Sequence, residues 1–423
     1  MSTTASPGPG VPAAEGALPP VLSARLATLG TALLVLMPLA MWLANRSAPL
    51  VLGLATVSFG AAAIVAEGWR PLLSRLLGHL RGAVGLCLCA FIAWSLVTLA
   101  WSHRPVPGLA AWGEMVLPLG CGLAIVASGR FRHGIAADRG LAWALVAAAA
   151  LMMAELASDL SLRVMLGVGK QQGFIFNRPA LTCLVLTAAV LPGLLRPGAM
   201  PRDRLLAGLA LLALVALASD SDSGATSFGL AIMAVTWLAA RVLPRLTLSA
   251  VALGFATTML LSPVTGRLVD ASLPPALHEK LASSHTRERT DIWLSFGEAI
   301  MARPLLGSGF GTSSTLDRHP VAREVSPTHR PMLAVGHPHS APMQAWVETG
   351  AVGAALLAFA GLAFLYRLRH LATRDLAPRL ALAASAFAIA SVAHGAWQGW
   401  WIAALAAAAV WLCVSPSERG RDA

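Results

Sequence analysis

Long, uninterrupted apolar runs recur along nearly the whole chain and constrain its fold more than any other feature. The 423 residues are 57% hydrophobic and only 12% charged, which leaves too little polar surface to cover a water-soluble globule. A helix needs roughly 20 apolar residues to cross a bilayer core about 30 Å thick. The runs are continuous in Ala and Leu rather than alternating, so they predict helices and not a β-barrel. The expected fold class is all-α, a polytopic membrane protein.

The apolar runs predict about twelve transmembrane helices and one long loop that contains short helices. The expected spans are 26–44, 48–67, 83–101, 108–127, 139–157, 179–195, 205–219, 225–240, 246–263, 342–366, 380–396 and 398–414. They divide the chain into five segments. These are a disordered cytoplasmic N-terminal tail (1–20), helices one to nine (21–263), a long loop outside the cytoplasm (264–341), helices ten to twelve (342–414) and a cytoplasmic C-terminal tail (415–423). The first tail is rich in Pro, Gly and Ala and lacks a basic n-region, so we do not expect a cleaved signal.

The distribution of basic residues predicts which side of the membrane each loop faces. With an even number of spans, one side holds 18 of the 31 Lys and Arg, whereas the short loops of the other side hold five: Arg46, Arg104, Arg163, Lys170 and Arg178. The positive-inside rule then places both termini in the cytoplasm. Membrane topology accounts for most of the formal charge of +11, and no nucleic-acid partner is expected.

The long loop concentrates polar residues in an otherwise apolar chain. It holds the remaining eight Lys and Arg and six of the eleven histidines. Long loops escape the charge rule during translocation, so their basic residues become candidates for binding an anion. We therefore expect the functional site in this loop.

Neither the cysteines nor the histidines form a recognisable metal framework. The five cysteines all fall inside apolar runs, where a small hydrophobic role is expected. Zinc requires three or four ligands, and the spacing of His319 and His329 matches no known arrangement. We expect neither a metal nor a cofactor.

A helix from Thr286 to about Ala302 is predicted within the loop, capped by Thr286 and stopped by Pro304. Arg287 and Arg289 lie in its first turn, where cations oppose the helix dipole unless an anion neutralises them. Helix amides and arginine forks together commonly hold phosphate. The alternative is that Arg287 pairs with Asp291 one turn further on.

A candidate general base lies next to the tenth span. Ser340 is a natural N-cap and Pro342 fits the first helical turn, which places His339 just outside the helix at the membrane surface. The helix N-terminus and nearby arginines disfavour a protonated imidazole, so His339 can accept a proton at neutral pH. The alternative is a hydrogen-bonded surface histidine. His337 is the neighbouring imidazole.

Other polar residues near helix ends are candidates for substrate binding. Arg163 and Lys170 precede the sixth span and Arg178 opens it from the outer side, although an interfacial arginine can also serve as a headgroup anchor. Glu348 lies about two turns inside the tenth span, where it is either a structural hydrogen-bonding partner or a substrate contact.

Three spaced motifs resemble those of the O-antigen ligase and polymerase superfamily. His339-Ser340, followed after nine residues by Gly350-Ala-Val-Gly353, is similar to the family pattern His-Asn/Ser/Gln, nine residues, Gly-x-x-Gly. Arg289-Thr-Asp-Ile-Trp293 resembles its Arg-x-x-Ile-Trp segment, and Pro304-Leu-Leu-Gly-Ser-Gly309 its Pro-Leu-Leu-Gly-x-Gly segment. The residues of the last run by themselves predict a tight turn that ends the helix, not a dinucleotide loop. Asp222-Ser-Gly-Ala225 stands where many relatives have Ser-Arg-Gly, so that arginine contact is expected from Arg178 or is missing.

The resemblance implies an inverting, metal-independent glycosyltransferase of the bacterial inner membrane, with a periplasmic loop that carries the catalytic site. The donor is then an undecaprenyl-diphosphate-linked polysaccharide, the acceptor is lipid A-core oligosaccharide, and membrane lipids surround the protein. His339 is implied to be the base for the acceptor hydroxyl and Arg289 the ligand of the diphosphate. The further candidates for substrate binding are Arg287, Arg178, His337, Lys170, Arg163 and Glu348.

Three other functions remain open at this stage. An O-antigen polymerase and a protein O-oligosaccharyltransferase would use the same donor. A transporter is less expected, because few charges lie deep in the membrane and no inverted repeat is evident.

Overall fold

A computed structural model of the protein describes residues 20–167, 172–220, 224–272 and 286–413, and every regular element among them is a helix. The predicted tails therefore fall outside the described residues, apart from Pro20. The α-helices are α1 Pro20–Leu43, α2 Ala48–Glu67, α3 Trp69–Leu80, α4 Ala83–Val97, α5 Pro105–Ser128, α6 Ile135–Ala157, α7 Ser161–Met165, α8 Asn177–Leu194, α9 Pro201–Asp220, α10 Gly224–Val242, α11 Pro244–Leu261, α12 Thr265–Ser272, α13 Thr286–Ala302, α14 Ala341–Leu368, α15 Thr373–Val392 and α16 Gly399–Cys413. Short 3-10 helices lie at Thr98–Trp101, Gly173–Phe176, Ser262–Val264, Ser313–Arg318, Pro320–Arg323 and Arg330–Val335.

The prediction of an all-α polytopic membrane protein is confirmed. Ten helical segments of the described chain are long and apolar enough to cross a membrane: α1, α2, α4 with its 3-10 extension, α5, α6, α8 with the turn before it, α10, α11 continued through α12, α14 and α15. The predicted spans 205–219 and 398–414 correspond to two helices outside this set. Helix α9 carries three charged residues in its first turn, and α16 is apolar but only 15 residues long.

Helix α8 forms the centre of the bundle. Every residue from Pro179 to Leu194 is buried, and α8 contacts α1, α6, α9, α10, α15 and α16. A helix that is apolar all round belongs in such a position. The peripheral helices instead leave large apolar side chains such as Leu50, Val57 and Leu117 exposed, as expected of surfaces that face lipid.

Two segments differ from the sequence-based prediction. The predicted cytoplasmic loop at 68–82 contains helix α3, in which leucines recur at helical spacing while arginines occupy another face and no residue is buried. Such an amphipathic helix suits the membrane interface. The ninth span was expected to end at 263, but its helix continues through Ser262–Val264 and α12 to Ser272.

The described part of the long loop folds into a cap on the N-terminal end of α14. The predicted helix from Thr286 to about Ala302 is confirmed as α13. Its apolar face packs on the 3-10 segments and on Met343 and Val347 of α14, through a cluster that includes Phe296, Ile300 and Leu333. The cap is therefore fixed to the membrane helix that follows His339.

Reporter fusions are expected to place the segments 68–82, 196–204 and 367–379 in the cytoplasm and the segment 264–341 outside. The physical reason is the excess of basic residues in the first three segments. Alkaline phosphatase and green fluorescent protein fusions at each position would measure the topology. A long loop accessible only from the cytoplasm would contradict it.

Candidate functional site

A cavity of about 660 Å³ brings together side chains from four separate segments at one end of the bundle. Arg46 comes from the α1–α2 connection, Arg178 from the first turn of α8, His337 and His339 from the segment before α14, and His394 from the α15–α16 connection. None of the described residues that line the cavity is acidic. Two guanidinium groups without a carboxylate in the same cavity favour an anionic ligand.

His339 lies immediately before the N-cap of α14, in a constrained backbone conformation. Its φ of +51° lies in the left-handed region, which is uncommon for a residue with a side chain. Its backbone N–H donates to Nδ1 of His337 at 3.2 Å. Its own Nδ1 lies 3.2 Å from the carbonyl oxygen of Ala393, so Nδ1 carries the proton and Nε2 is the ring atom left to accept one. The predicted N-cap is confirmed, since Ser340 Oγ accepts from the N–H of Met343 at 3.5 Å.

Burial disfavours the protonated form of the three imidazoles of the cavity, because each of their pKa values is lowered. Burial lowers the pKa of His339; its hydrogen bond to Ala393 acts in the opposite direction, and the charge of Arg289 lowers the pKa further. Burial is also the main reason that the pKa of His337 and that of His394 fall to about 4. A neutral imidazole at pH 7 can act as a proton acceptor.

Arg289 is held beside His339 by the same helix end. Its Nη1 donates to the carbonyl oxygen of Val392 at 2.5 Å, and Val392 precedes the residue that binds His339. The last carbonyls of a helix carry partial negative charge, which attracts a cation. Burial lowers the pKa of the Arg289 guanidinium, so an anion beside it would recover part of the lost solvation. Arg287 lies on the same turn but is exposed, whereas Arg289 is partly buried, and neither is among the residues that line the cavity.

The cavity continues into a groove between α2 and α5. Arg46, Arg178, Gln398 and Trp400 line both spaces, and the groove, of about 670 Å³, extends past Glu114, Leu117 and Pro118 of α5. The Arg178 guanidinium carbon lies 5.7 Å from the centre of the Trp400 ring, within the range of a cation–π contact. A ligand with an anionic head and an apolar tail would fit this combination.

Glu348 is placed as a structural group rather than in the cavity. It is fully buried. Its Oε2 accepts from Gly311 N and Trp397 Nε1, both at 2.8 Å, and its Oε1 accepts from Gln344 Nε2 at 3.0 Å and Ser313 N at 3.3 Å. Four donors from three parts of the chain therefore meet on one carboxylate.

The predicted substrate ligand Arg163 does not line the cavity. Arg163 is buried and pairs with Glu155 at 3.3 Å, and it donates to the carbonyl oxygens of Trp42 and Leu43 at the end of α1. These contacts give it a structural role in joining α1 to α6. Lys170 lies outside the described residues.

The two glycine motifs bind each other. Gly350, with a φ of +65°, interrupts α14, and the freed N–H of Ala351 donates to the carbonyl oxygen of Pro304 at 2.8 Å. In return, the N–H of Ser308 donates to Val347 at 2.8 Å. A Cβ at Gly350 would lie 2.1 Å from the carbonyl oxygen of Leu305, so only glycine fits. The predicted tight turn is thus also the segment that docks into a break in the helix.

Sequence reasoning missed Arg46 and His394 as members of the cavity. His394 was assigned to the end of the span 380–396, although it lies beyond α15, and its Nε2 is buried without a partner among the described residues. The available signal was a cluster of polar residues at the outer ends of predicted spans. It identifies a side of the membrane but not a shared cavity.

The two described loop histidines outside the cavity, His319 and His329, form other contacts. His319 Nδ1 accepts from the N–H of Val321 at 3.1 Å, and His329 Nδ1 lies 2.7 Å from Glu298. His278 and His285 lie outside the described residues. Within the described ranges, no three His, Cys, Asp or Glu side chains are grouped so as to hold a metal ion.

Replacing Glu348 by alanine is expected to destabilise the cap on α14. Each buried donor left unpaired costs about 1–3 kcal/mol, and four are affected. The apparent melting temperature of the purified protein should fall, whereas Glu348→Gln, which keeps one acceptor oxygen, should lower it less. Equal melting temperatures for both variants and the wild type would contradict this role.

Fold and cavity together define a class: a multi-pass membrane protein with a cavity that contains arginines and histidines and an adjoining groove of mixed polarity at one end of its bundle. The family model described as O-antigen ligase matches residues 207–358, which include Arg289, His339 and both glycine motifs. This match covers 152 of the 423 residues and makes that segment similar to O-antigen ligases. The match and the names of the relatives support the kind of function of a ligase or polymerase of lipid-linked glycans.

Three curated relatives from Rickettsia carry the name "Putative polysaccharide ligase". The protein of Rickettsia conorii is 22% identical over 330 residues, which cover 77% of each chain. Those of Rickettsia prowazekii and Rickettsia typhi are 27% and 28% identical over 192 and 195 residues, in each case 44% of this chain and 46% of the relative. The last two alignments thus span slightly less than half of each relative.

Proposed function

We propose that the protein transfers O-antigen polysaccharide from undecaprenyl diphosphate to lipid A-core oligosaccharide at the periplasmic face of the bacterial inner membrane. The observation that carries the proposal is the convergence of His339 and Arg289 on consecutive carbonyls of one helix end, beside a cavity that also holds Arg178. The match of residues 207–358 to the O-antigen ligase model and the names of the relatives support a glycan ligase.

The arginines would stabilise the diphosphate leaving group of the donor. A diphosphate leaving group accumulates negative charge as the glycosidic bond breaks, and fixed guanidinium groups stabilise that charge without a metal. Arg289 and Arg178 are the predicted ligands; Arg178 and Arg46 line the cavity, and Arg289 lies beside it, on the carbonyl oxygen of Val392. The apolar part of the groove between α2 and α5, formed by Pro49, Leu117 and Pro118, would take the prenyl chain of the donor, although the carboxylate of Glu114 also lines the groove.

His339 would act as the general base for the acceptor hydroxyl. Its Nε2 takes the proton of the acceptor hydroxyl as the hydroxyl oxygen attacks the anomeric carbon. The new carbon–oxygen bond forms while the bond to the phosphate oxygen breaks, and the diphosphate leaves with the electron pair. Attack from the opposite side inverts the anomeric centre. A positioned general base contributes roughly 10²–10⁴-fold to the rate.

Transfer by the purified full-length protein tests the proposal. Lipid-linked glycan would be supplied with one of three acceptors: lipid A-core oligosaccharide, a second lipid-linked glycan, or an acceptor protein. We expect product with lipid A-core alone. Elongation of the second lipid-linked glycan would instead identify a polymerase, glycosylated protein an oligosaccharyltransferase, and absence of any product would contradict glycan transfer by this chain.

Transfer is expected to continue without added divalent metal and in the presence of chelator. The arginines can stabilise the leaving diphosphate, and the sequence contains no recognisable zinc framework. The measurement is the initial transfer rate with and without EDTA. Loss of activity in chelator, restored by one specific metal, would show the prediction to be wrong.

A further inference from the structure

A second basic cleft lies between α11 and α14, at the end of the bundle opposite the histidine cavity. The two helices touch where Phe255 meets Gly361, since a Cβ on that glycine would lie 2.3 Å from the phenylalanine ring. Beyond this crossing they diverge and enclose a space of about 650 Å³. The cleft is lined by Arg245, Leu248, Ser249, Ala252, Leu362, Leu365, Tyr366, Arg369, His370 and Leu376.

The lining changes from apolar to basic along the helix axes. Leu248 and Ala252 of α11 face Leu362 and Leu365 of α14 in the deeper part of the cleft, whereas Arg245 and Arg369 lie at the two helix ends that form its mouth. The residues of each helix recur at spacings of three and four, so each contributes one continuous stripe. The cleft has the polarity gradient of a lipid: hydrocarbon first, then a charged headgroup.

The two arginines are available to an anion. Neither forms an ion pair with a carboxylate in the part of the chain that the structure describes, and the nearby Asp375 pairs with Arg379 at 3.7 Å. The Arg369 guanidinium carbon lies 3.5 Å from the centre of the Tyr366 ring, and its Nε donates to His370 Nε2 at 3.0 Å. These contacts orient Arg369, while Arg245 lies in the first turn of α11, where the helix dipole also favours an anion.

We propose that this cleft binds an anionic glycerophospholipid, with the phosphate between Arg245 and Arg369 and an acyl chain against Leu248 and Leu362. Basic pockets between membrane helices recognise such headgroups. A free phosphate would use only the mouth and leave the apolar floor unfilled. The site is separate from the histidine cavity and does not depend on the reaction proposed there.

Binding of defined lipids to the full-length protein tests the site. Native mass spectrometry would titrate the detergent-purified protein with phosphatidylglycerol and, separately, with phosphatidylcholine of the same acyl chains. We expect phosphatidylglycerol to bind more tightly than phosphatidylcholine. R245Q combined with R369Q should weaken phosphatidylglycerol binding by about 30-fold, because each arginine near a lipid surface contributes about 1 kcal/mol and 1.4 kcal/mol corresponds to a tenfold change in affinity.

A matched control removes the same charge from the same end of the bundle. Arg241 and Arg367 are exposed and do not line the cleft, so R241Q with R367Q should leave phosphatidylglycerol binding within about twofold of wild type. S249F, which places a ring in the cleft but keeps both arginines, should also weaken lipid binding.

Three results would overturn the proposal. They are equal loss in the control pair, equal affinity for phosphatidylcholine, or full competition by glycerophosphoglycerol, which carries the headgroup without acyl chains. The last result would identify a site for a free phosphate compound instead of a lipid.

Discussion

His339→Ala is expected to abolish glycan transfer while the protein stays folded and inserted in the membrane. The residue lies before α14, and its side chain lines a cavity instead of packing between helices. Loss of a general base costs roughly 10²–10⁴-fold in rate. The measurement is the initial rate at saturating donor, with donor affinity determined separately, because removal of the base should leave donor binding largely intact.

The controls for His339 are other histidines. His79→Ala, at an exposed position in the last turn of α3, should leave transfer unchanged. His337→Ala should reduce transfer less than His339→Ala. From the motif alone, a substitution of His337 would be expected to leave transfer unaffected, because His339 and not His337 matches the family pattern. In the structure, however, Nδ1 of His337 accepts a hydrogen bond from the backbone N–H of His339 and so supports the conformation of the base. Near-normal transfer by His339→Ala would refute the assigned base.

The same role fixes the direction of the pH dependence. A base must be neutral, and burial lowers the pKa of His339 below its usual value of about 6.5. The rate should therefore persist as the pH falls below that value and decline only when the ring becomes protonated. A decline beginning well above pH 7 would point to a different group.

Arg289→Ala is expected to abolish transfer at ordinary donor concentrations through weaker donor binding. A hydrogen bond to a charged group contributes about 1.5–3 kcal/mol, which corresponds to roughly 10- to 150-fold in affinity. Arg289→Lys should restore only part of the loss, since an ammonium keeps the charge but not the two-pronged geometry that suits phosphate. The KM for the lipid-linked donor and the kcat would separate these effects from those of His339→Ala.

Arg287 provides the matched comparison. It lies on the same turn of α13 and carries the same charge, but it is exposed, whereas Arg289 is partly buried and donates to Val392 beside His339. Arg287→Ala should therefore change the donor KM much less than Arg289→Ala. Equal losses for both substitutions would indicate a general electrostatic effect of the loop and would argue against a specific diphosphate ligand.

Local signals in the sequence predicted the helices and several of their ends. Apolar length fixed most spans, because hydrocarbon demands about 20 residues whatever the neighbours are. The cap at Ser340 and the helix beginning at Thr286 follow from nearby side chains and from Pro304, so they were predictable. Helix α3 is not among the predicted elements, because it is short and amphipathic and therefore contains no long apolar run.

The sequence by itself determined the membrane class, the position of the polar loop, and the candidates His339 and Arg289. Only the tertiary structure decided which polar residues share a cavity. Arg178 and Arg46 line the cavity together with His339, whereas the side chains of Glu348 and Arg163 form buried hydrogen bonds elsewhere. The physical reason is that burial and pairing depend on contacts across more than 100 residues of chain, such as the contact of Arg163 with Trp42, and no local pattern encodes which donors will meet.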